Sequence, residues 1–283
     1  MPELPEVETI RRQLNELVCG RVVTSLTASW EKSLRFDGVH RDAVLGEQIA
    51  FVERRGKVLL IHLTGELTLL IHLRMTGQLL LDENSQLVGP MTRAVLGLDR
   101  GQLVFNDQRK FGRIVVLETG EVDSDSLLSR LGPEPLTPDF NAKVLATRLG
   151  RHRTASVKAA LLDQSTVAGL GNIYVDEVLF VAKVHPEKSC ATLTKAEFKR
   201  LAEAIPAVLQ AGIQAGGSTM RDYRDASGAS GTYLEKAHVF GRTGEPCKRC
   251  ATPLIKIRVA GRGTHLCERC QPAPKRAVRV PAR

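Results

Sequence analysis

The first residues of the chain, MPELPE, bring together two groups that could perform covalent chemistry. Removal of the initiator methionine would expose the secondary amine of Pro2 beside the carboxyl group of Glu3. A neutral amine can attack a sugar carbon to form an iminium ion, and a neighbouring acid can donate a proton to the leaving group. Burial, or a second carboxylate such as Glu6, would have to keep Glu3 protonated. The alternative, which these residues alone favour, is that Glu3 only approaches a helix N-terminus.

Four of the six cysteines follow the spacing C-x2-C-x16-C-x2-C near the end of the chain. These four are Cys247, Cys250, Cys267 and Cys270. Two such pairs match a tetrahedral four-thiolate zinc site, and four protein ligands leave no position for a reactive water, so the predicted ion is structural. A disulfide framework is disfavoured because nothing else in the sequence is typical of a secreted protein. Cys19 and Cys190 are predicted to be free thiols in or near the cores.

The positive charge is concentrated at one end of the chain. The whole net excess of +9 lies between Arg242 and Arg283, where eleven Lys and Arg accompany two Glu. Such a segment predicts a polyanionic partner, most often nucleic acid, and a solvated basic tail is the alternative. The N-terminus lacks the apolar stretch of a secretory signal, and no run approaches the length of a membrane span. A cytoplasmic protein is therefore expected.

The elements that must position these groups change in character along the chain. Residues 5–18 predict a helix, since Pro5 suits a first helical turn, and short β-rich runs separated by turn signals fill residues 21–118. Seven or eight such strands predict a β-sandwich or a related two-sheet fold. The proline-rich run LGPEPLTPD at 131–139 predicts a domain boundary.

Beyond that boundary the pattern becomes helical. A first helix is predicted over 140–149 with Asp139 as its cap, and others over 155–163, from Gly171 and over 194–215. The Gly- and Ser-rich residues 216–231 predict a long flexible segment before the zinc hairpin.

Seven motifs, in the same order from residue 2 to residue 271, resemble the formamidopyrimidine-DNA glycosylase family. They are PELPEVETIRR at 2–12, GK at 56–57, IHLRMTGQL at 71–79, DQRKFGR at 107–113, LGPEPL at 131–136, LLDQSTVAGLGNIYVDEVLF at 161–180 and the four-cysteine finger. The PELPE start, in place of the PEGPE of the related endonuclease VIII, favours the branch that acts on oxidised purines.

The resemblance implies an α+β fold with an N-terminal helix and two-layer β-sandwich, a mainly helical domain with a helix–two-turns–helix (H2TH) element, and a C-terminal zinc-finger hairpin. The expected domains are a catalytic β-sandwich at 1–130, an H2TH DNA-binding domain at 131–235 and a zinc finger at 236–271. Residues 272–283 are expected to form a disordered basic tail.

The resemblance also implies a catalytic set. Pro2 would form a Schiff base with C1′ of the damaged nucleotide, and Glu3 would donate the proton. Lys57 would assist β-elimination and contact a phosphate, whereas the alternative is an exposed turn lysine. Arg262, carried by the zinc hairpin, would serve δ-elimination and phosphate binding.

A second group of residues corresponds to positions at which the family contacts DNA. Met75, Arg109 and Phe111 would fill the gap left when the base leaves the helix, and core filling is the alternative for the two apolar members. Arg153 and Asn172 would contact the phosphate backbone, although Asn172 by itself reads as a helix N-cap. The five expected DNA-contacting residues are therefore Met75, Arg109, Phe111, Arg153 and Asn172.

The implied function is that of a bifunctional, monomeric and bacterial enzyme bound to damaged duplex DNA, which removes 8-oxoguanine and formamidopyrimidines and cleaves the abasic site by β,δ-elimination. One alternative is an endonuclease VIII-like glycosylase for oxidised pyrimidines. Another is a catalytically inactive zinc-finger protein that only binds DNA. Met91 replaces a histidine that contacts DNA in the family, and Arg93 is the residue that could compensate. His62 and His72 are interpreted as structural, and a contact with a phosphate is the alternative for His72.

Overall fold

A computed structural model describes residues 1–274, so the last nine residues of the predicted basic tail lie outside the described part. The chain divides into two compact units. Unit 1 contains Met1–Glu134 and Leu209–Lys236, and unit 2 contains Pro135–Val208 and the chain from Ala237 onward. Unit 1 is therefore discontinuous in sequence, because a segment that follows most of unit 2 returns to complete it.

Unit 1 is built on two β-sheets. One sheet has the order β1-β7-β8-β6, from β1 (Val23–Ala28), β6 (Gly77–Asp82), β7 (Thr92–Leu98) and β8 (Gln102–Asp107). The other has the order β2-β9-β5-β4-β3, from β2 (Leu34–Phe36), β3 (Ile49–Arg55), β4 (Val58–Leu63), β5 (Leu67–His72) and β9 (Arg113–Glu118). Neighbouring strands are antiparallel except β2 and β9. The two-sheet prediction is confirmed.

Helix α1 (Leu4–Leu17) contributes to the main core of unit 1. Its residues Val7, Ile10 and Leu14 are fully buried and recur at three- and four-residue intervals, which places them on one helical face. The cluster that they join contains side chains of both sheets. Burial of this face fixes the start of the helix, and therefore Pro2 and Glu3, against the sandwich.

The five-stranded sheet is covered on its second face as well. Val58, Leu60 and Leu70 form a separate buried cluster with Val122 and Leu128 from the segment after β9. This second layer explains why β4 (VLLIHL) is buried at every position instead of alternating.

Unit 2 contains α2 (Ala142–Leu149), α3 (Val157–Leu162), α4 (Asn172–Val181) and most of α5 (Lys195–Gln214). The helical prediction is confirmed, but the cap of α2 is wrong. Asn141, and not Asp139, accepts hydrogen bonds from the amides of Lys143 and Val144 at 3.0 and 3.1 Å. Asn and Asp are equally good N-cap residues, so residue type alone did not decide between positions 139 and 141.

The C-terminal part of unit 2 is a hairpin of β10 (Ile255–Val259) and β11 (Arg262–Leu266). The four cysteines pack against Phe180 and Val181 at the end of α4, together with Leu254. The short helix α6 (Tyr233–Lys236) belongs to unit 1. Within residues 1–274, no helix combines the length and apolar character that a bilayer crossing requires.

Candidate active site and nucleic-acid interface

The residues that directly follow the exposed Met1 are buried and tightly held. Pro2 is buried, and the side chains of Glu3 and Glu6 are almost fully shielded from solvent. Glu3 is the N-cap of α1 and forms a capping box with Glu6, in which the Glu3 amide donates to Glu6 Oε2 at 2.7 Å. Glu3 therefore does lie at the helix N-terminus, as the alternative interpretation expected. The same capping box also holds the carboxyl groups of Glu3 and Glu6 close to Pro2.

Glu6 connects this corner to the segment 216–231. The Ser218 amide donates to Glu6 Oε1 at 2.6 Å, and the Tyr223 hydroxyl donates to the Glu6 carbonyl at 3.4 Å. Gly217 has φ of +88°, and a Cβ there would lie 2.9 Å from Glu6 Cγ, so the close approach requires glycine. Burial, with the nearby charges of Glu6 and Asp225, raises the pKa of Tyr223, which keeps its hydroxyl protonated as a donor.

The same segment is anchored further along α1. Gln13 donates to the Asp225 carboxylate at 2.8 Å and accepts from the Ala226 amide at 2.9 Å. Tyr223 and Ala226 belong to the main core. The segment that the sequence predicts as flexible is therefore held against α1 by polar and apolar contacts.

Lys57 is buried, which excludes the exposed turn lysine as an interpretation. It follows Gly56 in the tight connection of β3 and β4, where Gly56 has φ of +56°. The amide of Gly56 donates to Glu134, and its carbonyl accepts from Arg54 at 2.9 Å. This turn is therefore fixed by side chains on both sides of its peptide groups.

Arg54 extends the contact from the Lys57 turn to α1. Its guanidinium donates to Glu134 at 2.9 Å and to Glu8 at 3.2 Å. Although burial alone would raise it, hydrogen bonds from Arg11 and Arg12 lower the pKa of Glu8, so this carboxylate stays ionised. An ionised acceptor strengthens the contact between the first helix and the turn that presents Lys57.

His72 lies at the end of β5, near the same basic groups. Burial, together with the positive charges of Arg74 and Lys57, lowers the pKa of His72 to about 3. The neutral ring accepts a hydrogen bond from the Arg74 amide at its Nδ1, at 2.9 Å. His72 therefore shapes the turn that precedes Met75, which agrees with a structural role.

Met75, Arg109 and Phe111 are exposed and lie together. Arg109 Nη1 is 3.1 Å from Met75 Sδ, and the Arg109 guanidinium lies 4.8 Å from the centre of the Phe111 ring. About half of the Phe111 surface and 42% of the Met75 surface is accessible. Core filling is therefore excluded for both apolar residues.

Asp107 organises the loops that carry these three side chains, and sequence reasoning missed it. Its buried carboxylate accepts from the Thr76 hydroxyl at 2.5 Å and from the amides of Phe111 and Gly112, each at 2.7 Å. The Arg109 amide is a further donor at 3.2 Å. The sequence feature that could have indicated this role is the acidic residue directly before QRKFG. A carboxylate in that position can accept hydrogen bonds from the amides of the turn that follows it.

The expected compensation by Arg93 is not supported. Arg93 is buried, and its guanidinium donates to the carbonyls of Pro90, Thr92 and Asp107 at 2.8 to 3.1 Å. Met91 is exposed. The guanidinium is committed to the interior of unit 1 and does not replace a surface histidine.

In unit 2, Asn172 is the first residue of α4, and Gly171 occupies the N-cap position. The Asn172 side chain does not cap the helix. Its Nδ2 donates to the carbonyl of Gly263 at 3.0 Å, which links α4 to the hairpin. Arg153 is exposed after the short helical turn at 150–152, and its carbonyl accepts from Ser189 and Ala191.

A fully buried ion pair holds the start of β11, where Arg262 is exposed. Lys158 Nζ lies 2.6 Å from Asp176 and also donates to the Gly263 carbonyl and the Thr264 hydroxyl, at 3.1 and 2.8 Å. Asp176 in turn accepts from the His265 amide at 2.8 Å. Since these partners directly follow Arg262 on its strand, they fix the backbone next to the residue whose guanidinium projects from it.

Glu177 anchors the segment that leads into the hairpin. Its buried carboxylate accepts from three consecutive amides, those of His238, Val239 and Phe240, at 2.7 to 2.9 Å. The pair Asp176–Glu177 stands out in the otherwise apolar sequence NIYVDEVLFV, and a buried acid in such a helix signals a specific partner.

Four of the five cysteines of unit 2 converge on one point. Their Sγ atoms all lie within 4.8 Å of one another, and none forms a disulfide. The Arg249 amide points at Cys247 Sγ at 3.4 Å, as expected in a knuckle that binds a metal through sulfur. Four thiols at this separation fit a tetrahedral Zn²⁺ and leave no ligand position open. Cys19 and Cys190 are separate free thiols, and burial raises the pKa of Cys190 to about 11.

Three family models match the chain in succession. The formamidopyrimidine-DNA glycosylase N-terminal domain matches residues 1–114, the H2TH domain of the same family matches 131–224, and a zinc finger found in FPG and IleRS matches 244–273. The last match, with the sulfur geometry, confirms the prediction of one structural zinc ion.

Similar proteins extend over nearly the full length. Formamidopyrimidine-DNA glycosylases of Desulfitobacterium hafniense and Herpetosiphon aurantiacus are 45% and 46% identical, covering 96% of this chain and 100% of theirs. A crystal structure of MutM (FPG) from Thermus thermophilus is 40% identical with a TM-score of 0.87, covering 97% of this chain and 100% of that chain. A Lactococcus lactis FPG mutant in complex with Fapy-dG containing DNA is 38% identical with a TM-score of 0.88, covering 96% and 100%.

Proposed function

Because the chain belongs to the formamidopyrimidine-DNA glycosylase family, we propose that it excises oxidised purines from duplex DNA and then cleaves the abasic site. The observation that supports this best is the buried Pro2–Glu3–Glu6 corner, in which two carboxyl groups lie beside the N-terminal proline. A protein that only bound DNA would not need this arrangement. The enzyme acts as a monomer in the bacterial cytoplasm.

The reaction begins once Met1 has been removed. The Pro2 nitrogen attacks C1′ of the damaged nucleotide, the N-glycosidic bond breaks, and Glu3 protonates the leaving group. The C1′–O4′ bond of the sugar then opens as the Pro2 N–H proton passes to O4′, which leaves an iminium ion between Pro2 and C1′. The iminium ion acidifies the adjacent C2′–H, so that the 3′ phosphate leaves by β-elimination and the 5′ phosphate by δ-elimination. Lys57 and Arg262 assist these two steps as proton donors and phosphate ligands.

Recognition requires that the damaged base leave the stack. Met75 and Phe111 are apolar and exposed, so they can occupy the vacated space, and Arg109 can donate to the unpaired base of the other strand. Extrusion costs a few kcal/mol of stacking, which inserted side chains offset. Arg153, Asn172 and Arg262 contact phosphates, and the zinc ion serves by folding the hairpin that carries Arg262.

The boundaries of the proposed functional domains differ from those of the two compact units. We assign catalysis to 1–130, H2TH-based DNA binding to 131–235, the zinc finger to 236–271, and a basic tail to 272–283. Under this assignment residues 209–235 belong to the DNA-binding part by sequence and to unit 1 by packing. Their contact with Glu6, close to the proposed nucleophile, supports a role in closing over the lesion.

Borohydride trapping on a duplex with 8-oxoguanine opposite cytosine tests the reaction. We expect a covalent adduct through Pro2, none with Pro2→Gly, and intact-mass measurement without Met1. Glu3→Gln should slow base excision at least a hundredfold, the usual range for loss of a general acid, but slow cleavage at a preformed abasic site less, because no base remains to be protonated. Glu16→Gln, an exposed acid on the same helix, is the control.

Two outcomes would contradict this function. Strand cleavage that persists in Pro2→Gly and Glu3→Gln would place the chemistry elsewhere. A strong preference for thymine glycol over 8-oxoguanine would assign the enzyme to the oxidised-pyrimidine branch.

A further inference from the structure

The only tryptophan of the chain lies beside the loop that carries Arg109 and Phe111. The ammonium group of Lys110 is 4.2 Å from the centre of the Trp30 ring, well inside the range of a cation–π contact. A second cation, Lys32, is 5.8 Å away, at the limit of that range. Trp30 is half-buried, whereas both lysines are exposed.

The Trp30 side of this contact is rigid. The amides of Ser29 and Trp30 both donate to the carbonyl of Arg93 on β7, at 3.0 and 3.4 Å. The guanidinium of the same Arg93 donates to the carbonyl of Asp107 at 2.8 Å. One residue thus fixes both the backbone of Trp30 and the start of the 107–112 loop, so the ring has a defined position relative to that loop.

The Lys110 side carries backbone strain. Lys110 has φ of +59°, a conformation that non-glycine residues adopt at a cost, and it stands between Arg109 and Phe111. Asp107 holds the amides on both sides of it, at Arg109 and Phe111. The contact between the Lys110 ammonium and the Trp30 ring is an additional restraint on this residue, applied through its side chain.

We propose that Trp30 is a positioning residue, which holds Lys110 by a cation–π contact and so keeps Arg109 and Phe111 directed outward for insertion into DNA. This role rests on the proposed function, because it supposes that the two side chains fill the gap left by an extruded base. The ring does not touch the reacting atoms. Its effect should therefore appear in base extrusion and excision, and much less at an abasic site, where no base needs to be expelled.

Trp30→Leu and Lys110→Gln each remove one partner. We expect single-turnover excision of 8-oxoguanine to fall about fivefold in each, which corresponds to about 1 kcal/mol at 1.36 kcal/mol per tenfold change. The double variant should be no slower than the single variants, because both remove the same contact. Cleavage of a preformed abasic site should change less than about twofold, since unstacking is cheapest where no base remains.

Matched variants separate this role from a loss of folding. Lys110→Arg keeps the cation and should restore excision to near the wild-type rate, and Lys32→Gln should leave it unchanged. In the wild type, Trp30 emission should shift when a duplex with a tetrahydrofuran abasic analogue binds, and Lys110→Gln should reduce this shift. Thermal unfolding of every variant provides the check on stability.

Normal excision by both single variants would overturn the proposal. Additive effects would do the same, and so would a defect in Lys110→Gln without one in Trp30→Leu, which would mean that Lys110 contacts DNA independently. Failure of the proposed function can be told apart from failure of this proposal. In the first case the wild type would form no borohydride adduct, whereas in the second the wild type remains fully active.

Discussion

The N-terminal corner of unit 1 and the hairpin of unit 2 present their functional side chains by different means. Around Pro2, Glu3 and Lys57, carboxylates accept hydrogen bonds from backbone amides and from Arg54. Around Arg262, a four-thiol zinc site and the buried Lys158–Asp176 pair fix the backbone. The first region depends on the burial of a helix in a large core. The second is small and has few apolar residues of its own, so it depends on metal and charge.

Removal of zinc should produce the largest difference between the two regions. Structural zinc contributes about 10–16 kcal/mol in isolated finger peptides, so chelation should unfold the hairpin and leave the sandwich of unit 1 intact. We expect duplex affinity and its salt dependence to fall, because the basic hairpin no longer presents Arg262. Trp30 emission, which reports on unit 1, should stay unchanged. A simultaneous change in Trp30 emission would show that the two regions do not respond separately.

Lys158→Met tests the buried pair of the second region. The substitution leaves Asp176 charged in the interior, which costs about 3–5 kcal/mol of unfolding free energy. Lys188→Met, which removes a more exposed pair with Glu197, should cost about 1 kcal/mol or less. Denaturant unfolding measures both. If both variants lost the same free energy of unfolding, burial of the ion pair would not determine its contribution to stability.

Asp107→Asn tests whether carboxylate–amide contacts also position side chains in another part of unit 1, the loop that carries Phe111. One oxygen that accepts amide hydrogens becomes an NH₂ group, so at least one buried donor loses its partner at a cost of about 1–3 kcal/mol. Excision of 8-oxoguanine should slow more than cleavage of a preformed abasic site, because Met75 and Phe111 lose their orientation. Asp99→Asn, in which an exposed carboxylate accepts one amide, is the control. Indistinguishable kinetics for the two variants would reject the organising role of Asp107.

A further prediction concerns the dependence of stability on pH. His72 remains neutral in the folded protein down to about pH 3, whereas in the unfolded chain it binds a proton below its ordinary pKa of 6.5. Its contribution to stability is therefore complete above pH 6.5 and is lost as the pH falls, by about 1.4 kcal/mol per pH unit. His72→Asn should remove this slope between pH 6 and 4, and His40→Asn, at an exposed ring with the same type of hydrogen bond, should not. An unaltered slope in His72→Asn would contradict the burial of this ring as its cause.

The sequence predicted what depends on spacing and periodicity. The cysteine pairs predicted the metal site, the alternating runs predicted the sheets, and the motif order indicated the family. These features are local, so neighbouring residues are enough to specify them.

Contacts between distant parts of the chain were not predictable in this way. Glu6 meets Ser218 across 212 positions, and Lys158 meets Thr264 across 106. Asp107 was overlooked because its partners are mostly backbone amides, which carry no side-chain signature. The burial of Lys57 follows from the network of Arg54 and Glu134, which only the folded chain assembles.

The return of residues 209–236 to unit 1 has a consequence for biosynthesis. The partner of Glu6 leaves the ribosome only after about three-quarters of the polypeptide has been synthesised, some ten seconds or more at bacterial elongation rates of 5–20 residues per second. Pro2, the proposed nucleophile, emerges first, but the contact between Glu6 and Ser218 forms late. Under the proposed function, the surroundings of Pro2 therefore remain incomplete until this late segment has folded onto unit 1.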